Sequence, residues 1–189
     1  MNLITAADGS AAGLVNLLAR DFNCFRDEHR FQGRREPVRL LKRAQIFVAD
    51  LWACFEGQEY GAFRDIDKIT MFADYRVPQM LQTLGCLGFS PPLDAALRAK
   101  RDLPLGGNWE MQLRGGHTTL PWLGSTDTNM IPGCSIWCVE LIRREIKRKH
   151  PDAQVNAILI DFFLYDTIKK LESQGQEIIP HHRTRSIWY

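Results

Sequence analysis

Val38-Arg-Leu-Leu-Lys42-Arg-Ala-Gln-Ile46-Phe-Val-Ala-Asp50-Leu-Trp52-Ala-Cys-Phe55 is the stretch on which the fold turns. Its apolar residues Leu41, Ala44, Ile46, Val48, Leu51 and Trp52 follow a helical period, so a long helix is predicted from about Val38 to Phe55. Gly57 just beyond supplies a stop signal. Lys42, Arg43, Gln45 and Asp50 occupy the remaining positions. Arg43 reads as part of a solvated stripe. Lys42 lies beside Leu41 and one turn before Ile46, so its stem can run along the core edge and deliver the ammonium into a cleft.

The same period recurs outward in both directions. Ser10 can cap a helix carrying Leu14, Val15, Leu17, Leu18 and Phe22. Asp67 is placed to cap a short helix before Asp74, and Pro78 suits the first turn of the next one, to about Leu84. Pro91-Pro92 opens another helix through Ala99. Two long helices follow, Ser135 to about His150 and Asn156 to about Leu171. The basic run Arg143 to His150 complements a helix C-terminus and reads as a solvated face. Only Glu110-Met-Gln-Leu-Arg114 alternates as a strand would. Residues 116–133, rich in Thr, Gly and Pro, are expected to form a surface loop. The fold class expected is all-α, in a single helical domain over residues 1–189.

With 189 residues and 45% hydrophobic content the chain can bury one sizeable core. A net charge of +2 provides no field for binding nucleic acid directly, and no apolar run is long enough to span a bilayer. Met1 to Asp8 lacks the pattern of a secretory leader, so a cytoplasmic location is expected. Cys24, Cys54, Cys86 and Cys138 sit among apolar neighbours and are expected to be small core residues. Cys134 and Cys138 are one helical turn apart, but no second pair stands at metal-site spacing, so structural thiols are the better reading.

Chemistry concentrates elsewhere. In Asp65-Ile-Asp-Lys-Ile-Thr-Met-Phe72-Ala-Asp74-Tyr-Arg76-Val-Pro-Gln79, Asp74 stands close to Phe72 and Tyr75. A carboxylate there is either a helix cap or partner of Arg76, or it is held where its charge is used. Asp161 lies inside the apolar run Ile158-Leu-Ile-Asp161-Phe162-Phe-Leu-Tyr165-Asp166, and Tyr165 shares its helix face. The chain has no glycine-rich phosphate loop, serine elbow or zinc-protease motif. Carboxylates, aromatics and a lysine on helices suit a nucleobase or nucleoside site, or equally a pocket that binds without catalysis.

Phe25-Arg-Asp-Glu28, Lys42-Arg-Ala-Gln-Ile46 with Ala49-Asp-Leu-Trp52, Ile69 to Gln79, Cys134 to Ile142 and His182-Arg-Thr-Arg-Ser-Ile187 together resemble the queuosine salvage proteins. The resemblance runs from about Ala11 to Tyr189 and implies an all-helical fold similar to DNA glycosylases. It implies hydrolysis of queuosine 5′-phosphate to release queuine, a small-molecule reaction that needs no metal or cofactor. It makes Asp74 and Lys42 the catalytic residues and Phe72, Asp161, Phe162, Tyr165 and Asp166 the substrate-binding ones. Lys42 is left open between phosphate, ribose and leaving base. Family members carry a helical region upstream of the counterpart of Ser10, and residues 116–133 look inserted. Weak turnover is therefore expected of this chain, the alternative being a relative that only binds a nucleobase or a partner.

Overall fold

The structure, a computed structural model, describes residues 3–30, 35–114 and 135–189. The expected loop at 116–133 and Cys134 lie outside the described residues. A short helix α1 (Leu3–Ala6) precedes α2 (Ala11–Asp21), whose N-cap Ser10 accepts the Gly13 N–H at 3.0 Å. The start of α2 is also tied across the chain, because Ser10 Oγ and the Ala11 N–H both donate to the Asp65 carboxylate, at 2.9 and 2.6 Å. The capping acid near this turn is thus Asp65. Asp67, expected to cap a short helix before Asp74, lies inside that helix, the 3₁₀ turn Ile66–Lys68, whose N-cap position is Asp65.

The long helix begins later than its apolar period predicts. Glu28–His29 (β1) and Val38–Arg39 (β2) pair antiparallel, with Glu28 opposite Arg39 and His29 opposite Val38. Leu41 then turns through the left-handed region at φ 49°, and α3 runs from Lys42 to Cys54. A leucine in that conformation is disfavoured by roughly 1–2 kcal/mol. Asp27 offsets this strain: its carbonyl accepts the N–H groups of Leu40 and Leu41 at 3.0 and 3.3 Å. Gly57, with φ +73°, stops the helix as expected.

Helix α4 (Arg76–Thr83) carries Pro78 in its first turn, and α5 (Pro91–Arg98) opens on its prolines. The alternating Glu110–Arg114 segment is a helix, α6 (Asn108–Arg114), and not a strand. Glu110, Met111, Leu113 and Arg114 are all buried there. Such a helix cannot show an apolar stripe, since two of its inward side chains are charged. Helices α7 (Ser135–Lys149) and α8 (Ala157–Ser173) close the fold, the latter capped by Asn156 Oδ1 accepting from the Leu159 N–H at 3.0 Å. On α7 the basic run is solvated as expected, with Arg143 and Arg144 on Glu140, and Arg148 and Lys149 on Glu145.

The two largest apolar clusters among the described residues flank a central seam. One gathers α2 and α3 around Leu14, Ala44 and Val48. The other gathers α4, α7 and α8 around Val77, Leu81, Val139 and Ile168. The extended stretch Ile69 to Asp74 threads between them, Phe72 packing into the first core and Met71 into the second. Helix α8 belongs to both, through Ile158 on one side and Ile160 on the other. Cys24, Cys54 and Cys86 are exposed and Cys138 is half-buried, so their apolar sequence neighbours do not report their surroundings. Cys54, for instance, is the last residue of α3, past its buried turns. Among the described residues no helix is long and apolar enough to cross a membrane.

Candidate active site

The seam brings Lys42, Asp74 and Asp161 together from three elements. All are buried, with exposures of 8%, 6% and 3%. Lys42 is the first residue of α3, so the left-handed turn at Leu41 sets the direction of its side chain. Asp74 lies just before α4, where Oδ1 accepts the backbone N–H groups of Arg76 and Val77 at 2.9 and 3.0 Å. Those are orphan donors of a helix N-terminus, which favours negative charge. Asp161 Oδ2 accepts the Phe72 N–H at 2.8 Å, which bolts α8 to the stretch that carries Asp74. Among the described residues Asp74 Oδ2, Asp161 Oδ1 and Lys42 Nζ have no hydrogen-bond partner. The Arg76 guanidinium pairs with Glu172 and Gln79, so only its backbone serves Asp74 directly.

Two carboxylates and one ammonium in a dry site cannot all be ionised at little cost. Burial pushes the pKa of Asp161 up to about 8, and the charge of Asp74 adds to the rise. Burial also raises Asp74, against two backbone N–H donors and the Lys42 charge. Burial lowers Lys42, with Asp74 opposing. Asp74 has two N–H donors on its carboxylate and Asp161 has one, so a negative charge on the pair is better held at Asp74 than at Asp161.

This has a testable consequence for stability. Between the ordinary carboxylate range and about 8, folded Asp161 is protonated while the unfolded residue is ionised. Stability therefore falls as pH rises through that window. An asparagine side chain at this position would still accept the Phe72 N–H but could not be charged. Melting curves of Asp161→Asn are expected to lie above those of the unsubstituted chain, the gap widening by roughly 3 °C per pH unit between pH 5 and 7. A gap independent of pH would show that Asp161 does not titrate as described.

Of the other residues singled out in the sequence, Phe72 is buried with its ring centroid 5.9 Å from that of half-buried Phe162. Tyr165 is half-buried, the Lys169 ammonium 5.3 Å from its ring. Asp166 is exposed, and five residues on from Asp161 it stands about 140° around the helix, so it does not join the buried trio.

A second buried group, unassigned by sequence reasoning, backs the trio. Arg114 is fully buried, bidentate to Asp27 and bonded to Glu110 at 3.0 Å, while its Nε donates to the Ala73 carbonyl at 2.7 Å. Burial by itself would raise Asp27, yet His29 and Arg114 hold its pKa below the ordinary range. Asp27 also reaches the Lys42 N–H, at 3.5 Å, so this ionic group grips both the start of α3 and the residue before Asp74. Tyr189 and His182 complete it from the C-terminal segment. Among the described residues no group of His, Cys, Asp and Glu is arranged to hold a metal ion.

The whole chain, residues 1–189, matches the family model described as queuosine salvage protein. It is 42% identical to a queuosine 5′-phosphate N-glycosylase/hydrolase of Schizosaccharomyces pombe, over 99% of this chain and 49% of that protein. The protein of the same name from Nematostella vectensis is 39% identical over 100% of this chain and 52% of its own length. That of Mus musculus is 37% identical, over 100% and 51%. The chain thus spans about half the length of the curated relatives it matches.

Proposed function

Because this chain belongs to the queuosine salvage protein family, we propose that it hydrolyses the N-glycosidic bond of queuosine 5′-phosphate, releasing queuine and ribose 5-phosphate. The observation that carries this reading is the buried meeting of Asp74, Asp161 and Lys42, each with one polar atom unpartnered among the described residues. Breaking the ribose–base bond leaves its electron pair on the base and positive charge on the sugar. An ionised Asp74 stabilises that cation, or bonds to it transiently before water replaces it, and buried charge acts strongly there. The base is a 7-deazaguanine, with carbon where a purine has N7, so protonation at that position is not an easy exit. Charge stabilisation and a firm hold on the departing base must compensate.

Asp161 provides that hold. Its unpartnered oxygen can accept from the N–H edge of the base, which favours its ionised form on binding. Phe72 and Phe162 offer ring faces, and Tyr165 continues the contact one turn along α8, while Asp166, on another side of that helix, takes no part. Lys42 meets the phosphate, the ribose or the leaving base. A cytoplasmic location fits such a small-molecule reaction.

Chromatography of queuosine 5′-phosphate incubated with the purified chain tests the reading directly: free queuine should accumulate, and its absence would overturn the proposal. Asp161→Ala should weaken queuine binding by roughly 1.5–3 kcal/mol, the worth of a hydrogen bond to a charged group. Ribose 5-phosphate affinity should change far less. Equal losses for both ligands in titration calorimetry would remove Asp161 from the base site.

A further inference from the structure

The Lys42 side chain is largely buried, and its ammonium, within the field of Asp74 and Asp161, has no hydrogen-bond acceptor or ion-pair partner among the described residues and stands over two rings. It lies 5.9 Å from the centroid of Tyr75 and 5.4 Å from that of Tyr189. We propose that Tyr189 is a positioning residue, one wall of an aromatic clamp that holds Lys42 in the site, and that Glu110 and His182 lock it there. The geometry of the lock is specific. The Tyr189 hydroxyl has one proton, which goes to Glu110 Oε1 at 2.7 Å. His182 Nε2, 3.0 Å from the Tyr189 hydroxyl oxygen, must therefore donate its own N–H to it. Burial presses the His182 pKa down to about 3, which keeps the ring neutral and leaves one N–H for that bond.

The other face of the arrangement is equally constrained. The Arg114 guanidinium carbon is 4.9 Å from the Tyr189 centroid, so the ring serves two cations whose charges repel. Tyr75 is held in turn, its centroid 4.7 Å from that of His181 and 6.1 Å from that of Tyr189. An ammonium set over two adjoining rings is attracted without losing any of its N–H donors to a permanent acceptor. All three remain for an oxygen of the substrate. Ion pairing to a carboxylate would have occupied them.

The role in turnover rests on the hydrolase reading, but the clamp can be tested apart from it. In spectra of the chain labelled with ¹³C-lysine, the Lys42 ε-methylene protons should resonate upfield of the other lysines, shielded by the rings. Tyr189→Leu should return them most of the way to the ordinary position, and Tyr189→Phe, which keeps the ring and loses the lock, less than half of the way. An unshielded Lys42 in the unsubstituted chain would overturn the clamp without any variant having to fold. So would equal shifts in the two variants. In turnover, Tyr189→Leu should lower kcat/KM at least tenfold and Tyr189→Phe by no more than about threefold. Equal losses would make Tyr189 merely structural. A shielded Lys42 in a chain that releases no base would count against the hydrolase reading and leave the clamp standing.

Discussion

Asp74→Asn is expected to fold normally and to release no measurable queuine. The amide oxygen can still accept the N–H groups of Arg76 and Val77, so the start of α4 keeps its cap. What disappears is the negative charge facing the sugar cation. One such contact in a dry site is worth about 3 kcal/mol or more, which is a hundredfold or more in rate. The check is a single-turnover assay beside a melting curve. Near-normal release from a folded Asp74→Asn chain would remove Asp74 from the chemistry.

Arg114→Met should be the most destabilising single change in the molecule. It strands buried Glu110 with no opposing charge and leaves buried Asp27 with His29 alone. Removing one partner of a buried pair destabilises by about 3–5 kcal/mol, and here two acids lose the same partner. A fall in melting temperature of about 10 °C or more is expected for a chain of this size. The Ala73 carbonyl loses its donor as well, so any folded remainder should be less active than its folded fraction predicts. A variant melting within about 3 °C of the parent would show that the Asp27–Arg114–Glu110 group contributes little.

The helices are legible where burial is one-sided. The apolar periods of α2, α3 and α8 place them within a few residues, and the errors have local causes. The period starts α3 too early because Leu41 adopts a left-handed conformation that its hydrophobicity does not announce. Helix α6 reads as a strand because Glu110 and Arg114 point inward with Met111 and Leu113. In the site, Asp161 stands out as an acid among large apolar residues, and the family resemblance singles out Asp74 and Lys42. Asp27, Glu110 and Tyr189 give no such sign. Asp27 meets Arg114 87 positions away and Tyr189 meets Glu110 79 positions away, and contacts at that distance leave no trace in a linear reading.

The double duty of Asp74 bears on how related chains should be interpreted. One oxygen secures a helix and the other is left for the sugar, and folding asks only for the first. An asparagine meets that need, so an aspartate here speaks for turnover. Asp161 testifies in the same way. Its buried carboxyl makes the fold less stable as pH rises, and an asparagine would secure Phe72 equally well without that penalty. Drift after loss of function should therefore let either acid become its amide with the fold intact. Chains with asparagine at both positions are the ones in which to look for retired enzymes.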